Sequence, residues 1–133
     1  ETNGHVCVAS LHVMCKLQPT TAEQRVFAVV AKLEDEDYDM RIWVMKTLGI
    51  MLEPAVLAQH AAAVVAKLED EGWELRRAGL ETLSKLEPAT LAQHATAVAA
   101  RLEDDQHKVR LAAVKTLDKL EPEEREKYLP PEE

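Results

Sequence analysis

The chain has 133 residues, of which 47% are hydrophobic but only 4% aromatic, and its formal net charge is -8. A chain of this length fits one domain with a real core, and its abundance of Ala, Leu, Glu and Lys favours helices. The acidity argues against nucleic-acid binding, because phosphate contacts need a basic surface, and no apolar run approaches the roughly 20 residues of a membrane span.

A 34-residue repeat organises the chain. Residues 52–85 recur at residues 86–119 with 20 of 34 positions unchanged. Self-similarity at a fixed period of this size is typical of helical arrays, in which each unit buries its apolar face against its neighbours. We therefore predict one all-α domain over residues 1–133, built as a solenoid of antiparallel helix pairs. A recurring Leu-(Glu/Gln)-Pro motif divides it into a partial unit at 1–18, units at 19–53, 54–87 and 88–121, and a C-terminal cap at 122–133.

Each unit is predicted to hold a first helix, A, an acidic turn and a second helix, B. The chain opens on a B helix at about residues 4–17, and because no A helix precedes it, its apolar flank could support self-association. The A helices are predicted at about residues 20–33, 54–68 and 88–102, the last two with proline in the first turn. The B helices are predicted at about residues 38–52, 72–86 and 106–120, and a short acidic helix follows at about 123–129.

Apolar side chains recur at helical spacing within these helices. In the second A helix Leu57, Ala61, Val64 and Leu68 lie at i, i+4, i+7 and i+11, and the third A helix repeats the pattern. We expect these stripes to face the core. The second unit carries one extra residue near Ile50, where we expect a small bulge or a loosened last helical turn.

The run from the acidic turn into helix B resembles the HEAT-like repeat family. Asp70 and Arg76, followed by Gly79 and Leu83, and the matching residues of the next unit fit its D-x-x-x-x-V-R-x-x-A-x-x-A-L-G-x-L pattern. The tetratricopeptide repeat has the same period, but its first helix needs a Trp, a Gly and a Tyr that residues 55–68 lack.

The HEAT-like resemblance implies a right-handed, armadillo-type α-solenoid and a scaffold that binds proteins on the concave surface lined by the B helices. In that family an Asp and an Arg of each unit stack into a ladder along the solenoid. Glu1 and Cys7 occupy these positions in the first unit, so we expect the ladder to end there. The implied ladder residues are Asp35, Asp70 and Asp104 with Arg41, Arg76 and Arg110.

Helix B is the more variable half of the repeat. Between the two clearest units 13 of 17 positions are identical over residues 52–68, but only 7 of 17 over residues 69–85. Side chains that vary on a repeated backbone are what a graded binding groove requires, although neutral drift on a solvated face gives the same pattern. The predicted partner-binding residues are Tyr38, Ile42, Trp43, Lys46, Trp73, Arg77, Glu81, His107, Lys108, Leu111 and Lys115.

Two features suggest the ends of such a groove. Tyr38 and Trp43 are typical interface anchors, although Trp43 could equally fill space beside the extra residue of its unit. Lys108, Lys115 and Lys119 form a basic stripe that could steer an acidic partner, with a solvated charged face as the alternative. We expect the groove to run from the aromatic end to the basic end.

Nothing in the sequence indicates catalysis or a cofactor. It contains no glycine-rich phosphate loop and no cysteines or histidines at zinc spacing, and the repeat-equivalent His60 and His94 are predicted to be structural. We predict a non-enzymatic scaffold for a partner protein or peptide, without metal or cofactor and without membrane or nucleic-acid binding. The alternatives are a HEAT-like protein with lyase, hydroxylase or cofactor-handling activity, and a purely structural spacer.

The two cysteines bear on the cellular compartment. Cys7 and Cys15 lie eight residues apart in one predicted helix, hence about 12 Å along its axis. That separation exceeds the limit of about 7 Å between the Cα atoms of a disulfide. We therefore expect reduced thiols and an intracellular, cytoplasmic protein.

Overall fold

The computed structural model of this protein describes residues 22–129. The predicted B helix at residues 4–17, the self-association expected of it, the cysteine pair and the expected end of the ladder at Glu1 and Cys7 lie outside this range. Within it the fold is all-α, as predicted, and contains no β-strand.

Three successive units and a short final helix make up the described range, and each unit holds an A segment followed by a B helix. In the first unit the A segment is α1 (Ala22–Ala31) and the B helix is α2 (Tyr38–Met51); in the other two units the A segment is divided into two short helices. The second unit consists of α3 (Pro54–Gln59), α4 (Ala61–Ala66) and α5 (Trp73–Leu83). The third consists of α6 (Pro88–Ala92), α7 (Ala95–Ala100) and α8 (His107–Leu117), and α9 (Pro122–Arg125) follows. Each A segment ends in a 3-10 turn, at Lys32–Glu34, Lys67–Glu69 or Arg101–Glu103.

The second and third A segments are interrupted, and the prediction of continuous helices there was wrong. His60 has φ -118° and ψ 13°, and His94 has φ -116° and ψ 10°, outside the helical region. The N–H of His60 bonds to the carbonyl of Leu57, three residues earlier, and a new helix begins at Ala61. Histidine has only a modest helix propensity, and no proline or glycine marks the break.

The predicted apolar stripes form the core. Leu57, Ala61, Val64 and Leu68 are at most 1% exposed, as expected from their spacing. Buried leucines of the B helices complete this core, and burial of one such side chain stabilises a fold by about 1.5–3 kcal/mol. The B helices pack in chain order, α2 against α5 and α5 against α8.

A glycine permits close packing at the centre of α5. A Cβ atom added to Gly79 would lie 3.1 Å from Cδ2 of Leu68, tighter than an ordinary van der Waals contact. The equivalent position of α8 is Ala113, which is fully buried. The small residue therefore lets α5 lie against the A segment of its own unit.

The helix that carries the extra residue of the second unit continues through it without a break. Helix α2 has 14 residues, whereas α5 and α8 have 11 each. The N–H of Leu52 still bonds to the carbonyl of Leu48, and Ile50 and Met51 are 81% and 71% exposed. The expected bulge or loosened turn is therefore absent at this point, because an additional residue at the solvated end of a helix displaces no core side chain.

The C-terminal part is less helical than predicted. Helix α9 stops at Arg125, and the chain continues in turns to Leu129, which is 9% exposed and packs with Tyr128 against the core. Nε of Arg125 donates to Oδ1 of Asp118 at 2.6 Å, which ties this segment to the end of α8.

Candidate partner-binding surface

Arg76 connects two consecutive units. Its Nη1 donates to the backbone carbonyl of Asp70 at 2.9 Å, within its own unit. Its Nε and Nη2 donate to Oδ2 and Oδ1 of Asp104 in the next unit, both at 2.9 Å. This two-point contact fixes the orientation of both side chains and is stronger than a single neutral hydrogen bond.

The same arrangement recurs at the neighbouring units. Nη1 of Arg41 donates to the carbonyl of Asp35 at 2.8 Å, and its Nε lies 3.3 Å from Oδ2 of Asp70 without hydrogen-bonding alignment. Nη1 of Arg110 donates to the carbonyl of Asp104 at 2.6 Å. Each of the three arginines thus holds the turn before its own helix, and Arg41 and Arg76 also meet the aspartate of the following unit.

The aspartates support the N-termini of the B helices. Oδ1 of Asp35, Asp70 and Asp104 accepts the backbone N–H two residues further on, at 2.8, 2.9 and 2.9 Å. Burial alone would raise the pKa of Asp104, but hydrogen bonds from Arg76 and from the backbone of Gln106 outweigh it and hold that pKa below its usual value. Asp104 in turn raises the pKa of Arg76. Both groups stay charged at neutral pH, which suits an ion pair and not a proton donor.

Aromatic residues at the start of the B helices also reach the next unit. The hydroxyl of Tyr38 donates to Oε1 of Glu74 at 2.6 Å and accepts the backbone N–H of Leu75 at 3.4 Å. Burial and the bond to Glu74 raise the pKa of Tyr38. At the equivalent position of the next unit, the ring of Trp73 lies 5.5 Å below Nζ of Lys108, a cation–π contact.

Two open clefts lie between adjacent B helices. The first, between α2 and α5, encloses about 350 Å³ and includes Lys46, Ile50, Glu81 and Lys85 in its lining. The second, between α5 and α8, encloses about 480 Å³. Its lining comprises Arg77, Glu81, Ser84, Lys108, Leu111, Ala112, Lys115, Thr116 and Lys119. Helix α5 therefore lines both clefts, one on each side.

The α5–α8 cleft is basic, although the chain as a whole is acidic. Four cations, Arg77, Lys108, Lys115 and Lys119, line it with one carboxylate, Glu81. Nε of Arg77 donates to Oε2 of Glu81 at 3.0 Å, which partly neutralises both. Within residues 22–129 Lys115 and Lys119 form no ion pair, so their charges are available to a ligand.

A smaller hollow of about 170 Å³, lined in part by Trp73 and Glu74, adjoins the first cleft. The structure places seven of the eleven predicted partner-binding residues on the two clefts or on this hollow. They are Lys46, Trp73, Arg77, Glu81, Lys108, Leu111 and Lys115. Tyr38 is committed to the next unit, Ile42 and Trp43 are half-buried against the core, and His107 is exposed at the start of α8 outside the linings.

Lys85 lines the first cleft with Glu81 but was not among the predicted partner-binding residues, which were chosen by comparing the two clearest units. Its spacing of four residues from Glu81 would have put both on one helix face, but Lys85 and its counterpart Lys119 are identical between units and so carried no variability signal.

The histidines of the A segments lie away from these clefts. His60 is 7% exposed, and its ring stands edge-on to Phe27 with 4.9 Å between ring centroids. Among residues 22–129 no three His, Cys, Asp or Glu side chains are grouped so that they could hold a metal ion. The described helices also include none that is both long and apolar enough to cross a bilayer.

Comparison with known proteins leaves the family open. No protein-family model matches the chain. A search of curated proteins likewise finds no match.

Proposed function

We propose that this chain is a segment of HEAT-like α-solenoid and serves as a non-enzymatic scaffold that binds a partner protein or peptide along its B helices. Residues that recur between units make the contacts that hold neighbouring helices together. Arg76 and Arg110, and likewise Thr82 and Thr116, occupy equivalent positions and contact backbone or side chains inside the fold.

Three positions at which charge or polarity changes between units line the open clefts or the hollow beside them. Lys108 replaces Glu74, Leu111 replaces Arg77, and Lys115 replaces Glu81 between one unit and the next. This division carries the proposal: a constant set of contacts holds the helices together, while the side chains that could select a partner change along the surface. A purely structural spacer requires no such difference in chemistry between neighbouring clefts.

The chemistry of the charged groups favours binding over catalysis. Among the described residues the most buried ion pair, Arg76 with Asp104, joins two units, and the pKa of each group is shifted so that both stay ionised. The α5–α8 cleft presents lysines and an arginine beside one carboxylate, which suits recognition of a charged surface. Because the thiols of Cys7 and Cys15 are expected to be reduced, we also propose that the protein is intracellular.

Site-specific photo-crosslinking tests the proposal. We would place p-benzoylphenylalanine at Leu111, which is 46% exposed in the cleft, or at Thr96, an exposed residue of α7, and irradiate each full-length protein in extract of its source cells. We expect discrete crosslinked partners from the Leu111 position only, and competition by excess unlabelled protein. Equal crosslinking from both positions, or none from either, would contradict a partner surface on the B helices.

A further inference from the structure

We infer that the α5–α8 cleft recognises an acidic peptide segment of its partner, in which carboxylates flank an apolar side chain. This inference rests on the proposed function and adds the chemistry of the ligand. Its basis is the difference in charge between two clefts of similar construction on one molecule.

The basic groups of the cleft lie along α8 and the turn that follows it. Lys108 and Lys115 lie at i and i+7 of α8, Lys119 lies in the turn two residues past its end, and all three line the cleft. At about 1.5 Å per residue, Lys108 and Lys115 are separated by about 10 Å along the helix axis. An extended peptide of about three residues covers that distance, because a strand rises about 3.3 Å per residue.

The floor between these cations is apolar. Leu111 is 46% exposed, and Ala112 lies beside it in the lining. A partner that brought only carboxylates would leave this leucine in contact with water, whereas an apolar side chain between acidic ones would cover it. The recognition element is therefore a short acidic sequence with a central aliphatic or aromatic residue.

Two of the four cations in the cleft have no ion pair or aromatic contact among the described residues. Lys108 is held over the ring of Trp73 and Arg77 is paired with Glu81, whereas Lys115 and Lys119 form no such contact there. Exposed charge pairs are individually weak and are screened by salt, so several must act together. The binding should consequently be strong at low ionic strength and weaken steeply as salt is added.

The α2–α5 cleft supplies an internal control. Two cations, Lys46 and Lys85, line it with the carboxylate of Glu81, whereas four cations line the α5–α8 cleft with the same carboxylate. The two clefts have the same helical construction but different charge. An acidic peptide should therefore discriminate between them.

Two 12-residue fluorescent peptides provide the probes, with identical sequences except for Glu or Gln at six positions around a central Leu. We expect the Glu peptide to bind the full chain at least about tenfold more tightly than the Gln peptide at low salt, as measured by fluorescence anisotropy, since tenfold corresponds to the combined effect of a few surface ion pairs. The Lys115→Glu/Lys119→Glu variant should lose about tenfold in affinity for the Glu peptide.

The matched variant is Lys46→Glu/Lys85→Glu, which makes the same change of charge in the other cleft. We expect its affinity for the Glu peptide to fall less than about threefold, because only long-range screened repulsion is added. All four lysines are exposed, so circular dichroism should show unchanged helix content in both variants.

Three results would overturn the inference. They are equal binding of the two peptides or no binding of either, an equal loss in both double variants, and full retention by the Lys115→Glu/Lys119→Glu variant. None of these affects the crosslinking result at Leu111, which tests the scaffold function separately. A partner crosslinked there in the absence of acidic-peptide binding would retain the proposed function and reject the ligand chemistry.

Discussion

Arg76 of one unit binds Asp104 of the next through two hydrogen bonds of 2.9 Å, and the Asp104 side chain is only 2% exposed. The preceding contact, between Arg41 and Asp70, is looser, with 3.3 Å between the closest atoms and 12% exposure of the aspartate. The same Arg–Asp contact between units thus occurs twice, once buried and aligned and once looser. Because the residue types are the same, a difference in stability between the two contacts must come from alignment and burial.

Arg76→Ala should destabilise the protein by about 1.5–3 kcal/mol, because the buried carboxylate of Asp104 loses its two-point partner and keeps only Arg101 as an ion-pair partner, whose Nη1 lies 3.2 Å from Oδ2. Arg41→Ala should have a smaller effect, since its partner is more exposed and the two are not aligned as a hydrogen bond. Urea unfolding monitored by circular dichroism measures both free energies of unfolding. Equal losses in the two variants would show that the geometry of the contact is unimportant.

The depressed pKa of Asp104 predicts a dependence of stability on pH. A carboxyl group whose folded pKa lies below its unfolded value, near 3.9 for aspartate, stabilises the fold above that pH and loses the effect as the pH falls through the folded pKa. The free energy of unfolding should decrease between about pH 5 and pH 2, and Asp104→Asn should remove part of this decrease. A variant with the same acid dependence as the natural sequence would exclude Asp104 as a contributor.

Gly72→Ala should destabilise the start of α5, because the new methyl group would collide with the Tyr38 side chain. A Cβ atom at position 72 would overlap the Tyr38 ring, whereas the backbone there, with φ -87° and ψ 125°, accepts alanine without strain. Overpacking of this kind costs about 1–3 kcal/mol.

Tyr38→Ala provides the control for this prediction. In that background Gly72→Ala should cost clearly less, with a coupling energy of about 0.5–3 kcal/mol in the double-mutant cycle measured by thermal or urea unfolding. Additive effects would mean that the ring moves aside without cost and that the glycine is not required by Tyr38.

Thr116→Val tests a buried hydroxyl between B helices. Oγ1 of Thr116 lies 2.8 Å from the carbonyl oxygen of Ala112 and 3.0 Å from that of Leu80 in the preceding B helix, and it can donate to one of them at a time. Loss of this donor should cost about 1 kcal/mol in the free energy of unfolding. Thr96→Val, at an exposed position of α7, should change it by less than about 0.5 kcal/mol. The reverse order of the two effects would contradict a role for the Thr116 hydroxyl.

Sequence periodicity was most informative where burial decides the outcome. Leu57, Val64 and Leu68 could be assigned to the core from spacing and repetition alone, because a helix places residues at i, i+3 and i+4 on one side. Periodicity could not reveal the break at His60, where the backbone leaves the helix without glycine or proline. Periodicity also could not show whether the Tyr38 side chain bonds to the next unit or faces a ligand.

The repeated sequence by itself determined that this protein is all-α, where its core stripes lie, and which positions vary from unit to unit. These properties follow from local periodicity, and the 34-residue repeat shows the same pattern in successive units. Only the tertiary structure decided that Tyr38 is committed to Glu74 and that Lys108, Lys115 and Lys119 share a cleft with Arg77 of the preceding B helix. Such groupings depend on how one helix lies beside the next, and that relation arises from packing between residues far apart in the chain.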